Sequence, residues 1–278
     1  MELFAVAALA ALVSGIVCAS MIGAGPIDAP NVRRKSHRAP TPTSGGIGIA
    51  SGFAAALIAL ALAADVWQEA VTAQGTRLLT SVAFFSYAFL AIGFYDDARP
   101  LGPRIKTLLF LTITLLAAYA IGPAHKLPFG FATLRFSYPG ALIGSAVWIF
   151  AMVNFTNFMD GANGLAMGMM AIGLATLGVI AMLLGSPAAA GIGFSAAGAL
   201  LGFLVWNFPK GRLFAGDSGA LFVGALAALC SLLVIRRTGL SPFVPALVFL
   251  PTIADAALTL IYRLSKKRSM LEGHSEQI

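Results

Sequence analysis

Carboxylates and carboxamides stand in short polar segments that interrupt an otherwise apolar sequence. The pair Asp96-Asp97 follows one apolar run, Asp160 lies between two others, and Asp217 precedes a fourth. Charged groups near hydrocarbon are costly, so polar residues gathered there are a functional hypothesis by default. If these sites share one face of a membrane, they form a surface that binds a metal ion and handles phosphates.

The segment 154–165 carries the densest group of polar side chains. Asn157, Asp160 and Asn163 follow one another at intervals of three residues, and a continuous helical turn would place them on one face. The two carboxamides offer donors and acceptors to a planar heterocycle, and the carboxylate of Asp160 accepts from an N–H. For Asn163 alone, capping of the following helix is the simpler interpretation.

The adjacent carboxylates of Asp96 and Asp97 stand at the end of the third apolar run, with Arg104 and Lys106 just beyond. Two neighbouring negative charges repel each other, which favours a cation between them or proton abstraction by one of them. An exposed pair that only caps a loop is the alternative. The membrane boundary and the two nearby cations favour a functional site.

Asp217 lies in the segment 214–219, where glycines stand on both sides of it, and an apolar run follows. The glycines would let a bulky anion approach, and the free N–H groups of a helix N-terminus favour anions. A plain N-cap is the alternative, but an N-cap needs neither flanking glycine. The pattern therefore favours metal ligation by Asp217.

Two further segments have simpler interpretations. The basic loop 28–46 could meet anionic phosphates, but alone it is more typical of an anchor to lipid headgroups; its closing Gly45-Gly46 would let backbones approach closely. Asp255 lies inside the last apolar run. We expect it to pair with Arg263 or with a polar group of another helix, as a structural residue.

The elements that must position these residues are membrane-spanning helices. Apolar residues make up 59% of the 278 residues and charged residues 10%, with a mean hydropathy of +0.89. Soluble domains carry about 25% charged residues, so the fold class is an all-α polytopic membrane protein. We predict nine spans, at about 3–23, 45–64, 78–95, 106–122, 140–154, 166–184, 188–206, 219–235 and 243–263. Alternating apolar residues near 126–138 predict a small β-hairpin on the outer, periplasmic interface.

The charge distribution fixes the predicted topology. The net charge is +7, and with the N-terminus outside most Lys and Arg residues fall on the inner segments, as the positive-inside rule requires. The basic charge therefore reports topology and not nucleic-acid binding. The inner segments are 24–44, 96–105, 155–165, 207–218 and 264–278. Asp96, Asp97, Asp160 and Asp217 all fall on them, so we predict one cytoplasmic active face.

Together these segments resemble the polyprenyl-phosphate N-acetylhexosamine-1-phosphate transferase family, the group that includes MraY and WecA. The resemblance is carried by the segments 28–46, 95–97 with Lys106, 154–166 and 214–219, and it spans most of the chain. It implies a single transmembrane transferase domain over 1–278 in a bacterial inner membrane. Family members have 10–11 helices.

The resemblance also implies a reaction. Undecaprenyl phosphate attacks the β-phosphate of a UDP-N-acetylamino sugar, which yields a lipid diphospho-sugar and UMP, and Mg²⁺ (Mn²⁺ as an alternative) is required. Asp217 becomes the leading metal ligand together with Asp160. Asp96, Asp97 and Lys106 become the catalytic group. The residues implied to contact substrates are Asn157, Asp160, Asn163, Asn31, Arg33, His37 and His274. Membrane lipid is a partner, and a homodimer fits the family.

Two departures from the family pattern accompany the resemblance. The first loop is one residue longer between Arg33 and His37, and the histidine-rich motif of the family is represented only by the ending around His274. We therefore predict that the chain is truncated at its C-terminus. The missing triple-histidine run favours the group that initiates O-antigen or another surface glycan over MraY.

Two other function classes also fit the sequence. Buried aspartates would also suit a cation-coupled secondary transporter, although transporters place such residues near the bilayer midplane, where only Asp255 is expected. A truncated, inactive paralogue that serves as a structural partner is the third interpretation.

Overall fold

The chain folds into a bundle of helices joined mostly by short connections, as the computed structural model shows for residues 2–23, 27–28, 41–62 and 73–265. Two pairs of very short antiparallel strands accompany the helices. The elements in chain order are α1 (Glu2–Met21), β1 (Ile27–Asp28), β2 (Thr41–Pro42), α2 (Gly45–Leu62), α3 (Ala73–Ala98), α4 (Pro103–Ile121), β3 (Lys126–Pro128), β4 (Thr133–Arg135), α5 (Tyr138–Met159), α6 (Leu165–Leu183), α7 (Pro187–Asn207), α8 (Gly216–Thr238), α9 (Phe243–Val248) and α10 (Leu250–Ser265).

Within the described residues, eight helices, α1 to α8, are long and apolar enough to cross a membrane. An α-helix satisfies its own backbone hydrogen bonds, which is what a lipid environment demands of a single spanning segment. The predicted class, an all-α polytopic membrane protein, is confirmed.

The ninth predicted span is corrected by the structure. Residues 243–263 form two helices, α9 and α10, which meet at Phe249. Pro251 stands in the first turn of α10 and has no backbone N–H, so it cannot donate to the carbonyl four residues earlier, and its ring would clash there. A single helix through this proline is therefore unfavourable, and α9, with six residues, is too short to span.

Helix α8 is the centre of the bundle. It packs against α2, α3, α5, α6 and α7. Of its most apolar stretch of 18 residues, 94% is buried within the chain, compared with 22% for α1 and 28% for α4. A helix that is apolar on every side is a core helix, whereas α1 and α4 turn much of their surface outward. The aspartate at the start of α8 is thereby held by the best-packed element of the fold.

Small residues allow α1, α2 and α7 to pack closely. A Cβ atom at Gly52 of α2 would collide with the carbonyl oxygen of Ala10, and one at Gly202 of α7 with that of Ala11. Without a hydrophobic driving force between helices in lipid, close backbone approach of this kind supplies the packing energy.

The predicted hairpin is confirmed, and it marks one end of the bundle. Strands β3 and β4 pair antiparallel, with Lys126 opposite Arg135 and Pro128 opposite Thr133. The hairpin connects the end of α4 to the start of α5, so we call this the hairpin end. The opposite end, where α3 and α5 finish and α4 and α8 begin, is called the aspartate end.

Candidate active site

The aspartate end gathers polar side chains from four helices. Asp96 and Asp97 lie in the last turn of α3, Lys106 in the first turn of α4, Asn157 in the last turn of α5, and Asp217 in the first turn of α8. Since neighbouring helices run in opposite directions, their polar ends meet. The sequence-predicted candidates Asp96, Asp97, Lys106, Asn157 and Asp217 are thus brought together.

Lys106 lies at the centre of this group. Its Nζ donates to Oδ2 of Asp96 at 2.8 Å and to Oδ2 of Asp217 at 2.6 Å. Asn157 donates from Nδ2 to the other oxygen of Asp217 at 2.9 Å. Both oxygens of Asp217 are therefore occupied by protein donors, and one ammonium joins two carboxylates from different helices.

Asp96 also shapes the connection that presents Lys106. The backbone N–H of Leu101 donates to Oδ1 of Asp96 at 2.6 Å, which folds the chain back after α3. Pro103 then occupies the first turn of α4, where its missing N–H costs nothing. The short connection between α3 and α4 therefore places the ammonium of Lys106 next to the carboxylate of Asp96.

Asp97 binds backbone N–H groups of another helix, whereas Asp96 binds the ammonium of Lys106. Its Oδ1 accepts from the backbone N–H of Asp217 at 2.9 Å, and its Oδ2 accepts from that of Ser218 at 3.0 Å. These are N–H groups of the first turn of α8, which have no partner within their own helix. Asp97 thus caps α8 from another helix, and the plain N-cap interpretation of Asp217 is wrong.

Glycine makes this contact between α3 and α8 possible. A Cβ atom at Gly93 would lie 2.5 Å from the carbonyl oxygen of Asp217 and 2.6 Å from Cα of Ser218. Side chains do not tolerate such distances, so only a residue without a Cβ atom lets the two helices approach this far. Gly93 was not among the predicted site residues, although its place one turn before Asp97 was a usable signal.

The segment 214–219 is also held by β2 and by the start of α2. Backbone hydrogen bonds run from Phe214 N to Pro42 O at 2.9 Å, from Gly45 N to Phe214 O at 2.9 Å and from Gly46 N to Ala215 O at 3.0 Å. The close backbone approach predicted for Gly45-Gly46 is confirmed. Asp217 is consequently fixed from two sides, by α2 through the backbone and by α3 through Asp97.

Asn163 and Asp160 do not share a helical face with Asn157, and this expectation is corrected. Helix α5 ends at Met159, and a turn follows in which Gly164 adopts a left-handed φ of 75° and serves as the N-cap of α6. Asn163 therefore does not cap α6. Its Nδ2 donates to the carbonyl of Pro209 at 3.4 Å, in the connection after α7.

Asp160 lies at the end of α5 as a partly buried carboxylate. Burial, reinforced by the negative charges of Asp217 and Asp97, raises its pKa well above the ordinary value. Among the described residues its carboxylate has no hydrogen-bond donor. The fold thus holds an uncompensated acid close to the network and does not neutralise it.

Asn207, which we did not predict, joins two loops at this end. Its Oδ1 accepts from the N–H of Gly164 at 2.6 Å, and its Nδ2 donates to the carbonyl of Leu213 at 3.0 Å. The residue is 5% exposed. A carboxamide at the end of an apolar run was the available signal, because such a group must find partners when it is buried.

The remaining predictions divide into two groups. Asn31, Arg33, His37 and His274 lie outside the described residues. Asp255 lies in α10 as expected, but its buried Oδ2 has no hydrogen-bond partner among the described residues. The expected pairing of Asp255 with a polar group of another helix is thus not found in the described part of the chain.

The donor set at the aspartate end fits a hard divalent cation. No three His, Cys, Asp or Glu side chains converge on one point in the part of the chain that the structure describes. Two carboxylates, of Asp96 and Asp217, nevertheless converge on one positive charge, the Lys106 ammonium. A bound cation would be surrounded in the same way. Mg²⁺ is commonly held by one or two carboxylates plus water and substrate phosphates. Asp96, Asp217 and the amide oxygen of Asn157 could supply the protein share.

Comparisons with known proteins agree with this geometry. The family model described as glycosyl transferase family 4 matches residues 79–235, from α3 to α8. The chain is 29% identical over 267 residues to a Bacillus subtilis (strain 168) protein named "Probable undecaprenyl-phosphate N-acetylglucosaminyl 1-phosphate transferase", covering 92% of this chain and 69% of that protein.

Relatives with a second name are equally similar. A Phospho-N-acetylmuramoyl-pentapeptide-transferase of Streptococcus thermophilus (strain CNRZ 1066) is 29% identical over 255 residues, covering 87% of this chain and 73% of that protein. One from Synechococcus sp. (strain RCC307) is 34% identical over 224 residues, covering 72% of this chain and 56% of that protein. The region that the family model matches, residues 79–235, contains Asp96, Lys106, Asn157 and Asp217.

Proposed function

The chain belongs to glycosyl transferase family 4, and on that premise we propose that it transfers an N-acetylamino-sugar 1-phosphate from a UDP-sugar to undecaprenyl phosphate. The family predicted from the motifs is confirmed. The observation that supports the proposal is the single network in which Lys106 joins Asp96 to Asp217 while Asn157 holds Asp217.

The reaction needs positioning and charge neutralisation more than covalent help from the protein. An oxygen of the lipid phosphate forms a bond to the β-phosphorus of the UDP-sugar, the bond from that phosphorus to the bridging oxygen breaks, and UMP leaves. The lipid phosphate is already ionised at neutral pH. The network therefore has to bind negative oxygens and does not have to remove a proton.

Each side chain of the network has a share in this task. When bound, Mg²⁺ would neutralise charge on the phosphates, and Asp217 and Asp96 would hold it. Lys106 would contact a phosphate oxygen, and Asn157 would fix the orientation of Asp217. Asp97 would keep the start of α8 in place. Asp160 and Asn163, on the turn after α5, would face the nucleotide.

The location at helix ends supports a lipid-linked reaction. A membrane-bound lipid phosphate and a water-soluble nucleotide can meet only at the membrane surface, and we infer that the aspartate end of the spanning helices lies there. We place this end on the cytoplasmic face of the bacterial inner membrane because the basic residues of the sequence follow that orientation. The pathway would be initiation of O-antigen or another surface glycan.

The test is a transfer assay with purified protein. Radiolabelled UDP-N-acetylglucosamine, undecaprenyl phosphate and Mg²⁺ should give lipid-linked label and an equal amount of UMP. Asp217→Asn should lower the rate about 10³-fold, since loss of a preorganised electrostatic contact has effects of that order. Glu2→Gln, at the exposed start of α1, is the matched carboxylate control. Absence of label with every UDP-sugar tried, including UDP-N-acetylmuramoyl-pentapeptide, would falsify the proposal.

One observation keeps a transporter as the second candidate. Asp255 holds a buried carboxylate oxygen without a partner among the described residues, in the helix that follows the break at Phe249. Broken helices with buried polar groups are features of secondary transporters. Uptake of a cation or solute into proteoliposomes that depends on Asp255, together with no transferase activity, would favour this alternative.

A further inference from the structure

The ammonium of Lys106 occupies the place between the two carboxylates that are best suited to hold a divalent cation. Its Nζ lies 2.8 Å from Oδ2 of Asp96 and 2.6 Å from Oδ2 of Asp217. These two aspartates come from α3 and α8 and are brought together across 121 residues of sequence. The side chain of Lys106 is 22% exposed, so the pair is partly screened from water.

A lysine and a divalent cation cannot share this position. Mg²⁺ binds oxygen at about 2.0–2.1 Å and demands a near-octahedral set of ligands. The oxygens that a cation between the two carboxylates would use, Oδ2 of Asp96 and Oδ2 of Asp217, are the ones that Lys106 contacts. The ammonium supplies one positive charge to two negative ones. A divalent cation neutralises both, so the carboxylates have more to gain from the metal than from the lysine.

We propose that Lys106 and the divalent cation exchange at this site. Lys106 holds Asp96 and Asp217 together when its ammonium lies between them. Asp96 and Asp217 would hold the cation when it is bound, and the Lys106 ammonium, released from them, would contact an oxygen of the phosphate that is transferred. The inference rests on the proposed function, because that function supplies both the metal and the phosphate.

The surroundings of Lys106 suit such a movement. The residue lies at the start of α4 in a helix that turns much of its surface outward, so its stem is not locked in the core. Its Nζ also lies 5.9 Å from the centre of the Phe110 ring, one helical turn further on. An aromatic face attracts a cation at this distance, which provides a second contact while the carboxylates change partners.

The exchange predicts how metal affinity responds to Lys106. Mn²⁺ binding to the purified protein without substrates can be followed by loss of the electron paramagnetic resonance signal of free Mn²⁺. Lys106→Met keeps the length of the stem and removes the competitor, so we expect binding about tenfold tighter or more. Arg104→Gln removes a neighbouring exposed charge and should change the affinity less than about twofold, as should Lys126→Met at the hairpin end.

Amine labelling provides a second measurement on the unaltered protein. Lys106 should react slowly with an amine-specific reagent while two carboxylates hold it, and severalfold faster once Mg²⁺ is added, as read by mass spectrometry. Lys126 and Lys210 are exposed and serve as internal standards whose labelling Mg²⁺ should not change. Equal labelling of Lys106 with and without bound metal overturns the exchange, as does a Lys106→Met affinity no tighter than that of Arg104→Gln.

The two measurements separate this inference from the proposed function. The protein could form lipid-linked sugar while the labelling of Lys106 does not change with Mg²⁺. This result would overturn the exchange but support the transferase function. Metal-dependent release of Lys106 without any sugar transfer would support the exchange and overturn the transferase.

Discussion

The two ends of the bundle are made by the same helices but are built on different principles. At the aspartate end, backbones touch: a Cβ atom at Gly46 of α2 would lie 2.7 Å from Cα of Gly219 in α8. At the hairpin end, side chains face outward, and Phe131 at the hairpin turn is 95% exposed. The first arrangement fixes polar groups in place, whereas the second only needs an apolar surface near lipid.

This difference indicates where the chain is tolerant. A polar network survives next to hydrocarbon only if its donors and acceptors stay paired, and pairing across helices requires fixed backbones. The hairpin end has one pair of three-residue strands and no comparable network among the described residues. Substitutions at the two ends should therefore have very different effects.

The largest effect is expected from Gly46→Val. The new side chain would collide with the backbone N–H of Gly219 and with Oγ of Ser218, forcing α2 away from α8. Overpacking of this kind costs about 3 kcal/mol or more, so we expect loss of folded protein in a thermal unfolding and gel-filtration assay. Gly144→Ala in α5, where nothing lies within 4 Å of the added methyl group, is the matched control and should leave the midpoint unchanged or slightly higher. If both variants unfolded at the same temperature, close backbone contact at Gly46 would not be what stabilises the aspartate end.

Asp97→Asn should have the next largest effect, on activity more than on folding. The amide offers one acceptor oxygen where the carboxylate accepts from two N–H groups of α8, so Asp217 loses its fixed position. We expect the transfer rate to fall about 100-fold, as small misplacement of a catalytic group does. The rate and the Mn²⁺ affinity should fall together.

The control for Asp97 lies at the hairpin end. Ser145 accepts a hydrogen bond from the backbone N–H of Ala124 at 3.0 Å, so Ser145→Ala also deprives a backbone donor of its partner. This variant should lose about 1–3 kcal/mol of stability and keep its transfer rate. If the transfer rate of Ser145→Ala were as low as that of Asp97→Asn, loss of any side-chain hydrogen bond to the backbone would be sufficient to slow transfer.

Much of this contrast could be predicted from the sequence. The lengths of the apolar runs fixed the helices, and the positions of Asp96, Asp97 and Asp217 relative to them placed these residues at one end. The alternating residues near 126–138 predicted the hairpin. These are local signals, because an apolar run and a period-two pattern do not depend on distant parts of the chain.

The parts that were missed depend on contacts between distant segments or on a single turn. That Asp97 would cap α8 while Asp96 would bind Lys106 follows from how closely α3 approaches α8 at Gly93. The assumption that α5 continues through Asp160 failed because a turn with a left-handed Gly164 intervenes. Neither event leaves a periodic pattern in the sequence.

A smaller effect, of opposite sign, is expected from Asp160→Asn. Because burial and neighbouring charges raise the pKa of Asp160 in the folded protein, the folded state binds more protons than the unfolded state. The free energy of unfolding therefore falls as pH rises above the ordinary carboxyl pKa. The variant should unfold at about 2–4 °C higher temperature at pH 7, and the gain should vanish near pH 4.

Asp160→Asn should therefore change stability and function in opposite directions. If Asp160 faces the nucleotide, the more stable variant should bind UDP-sugar less well, which a KM measurement reports. At each pH, the stability of Asp160→Asn is compared with that of the unaltered chain. A smaller gain at pH 7 than at pH 4 would contradict the electrostatic argument.

The smallest effect is expected at the hairpin end, from Phe131→Ser. The ring is 95% exposed and lies in a connection between two spanning helices, where aromatic side chains sit at the membrane interface. Its loss should leave the transfer rate within about twofold, because Phe131 lies at the opposite end of the bundle from the network around Lys106. Thermal unfolding should separate the two environments: the midpoint should fall by about 2–4 °C in lipid nanodiscs and stay unchanged in detergent, where no bilayer interface is present. A fall of the same size in both would place the ring against protein and would end the distinction between a paired end and a lipid-facing end.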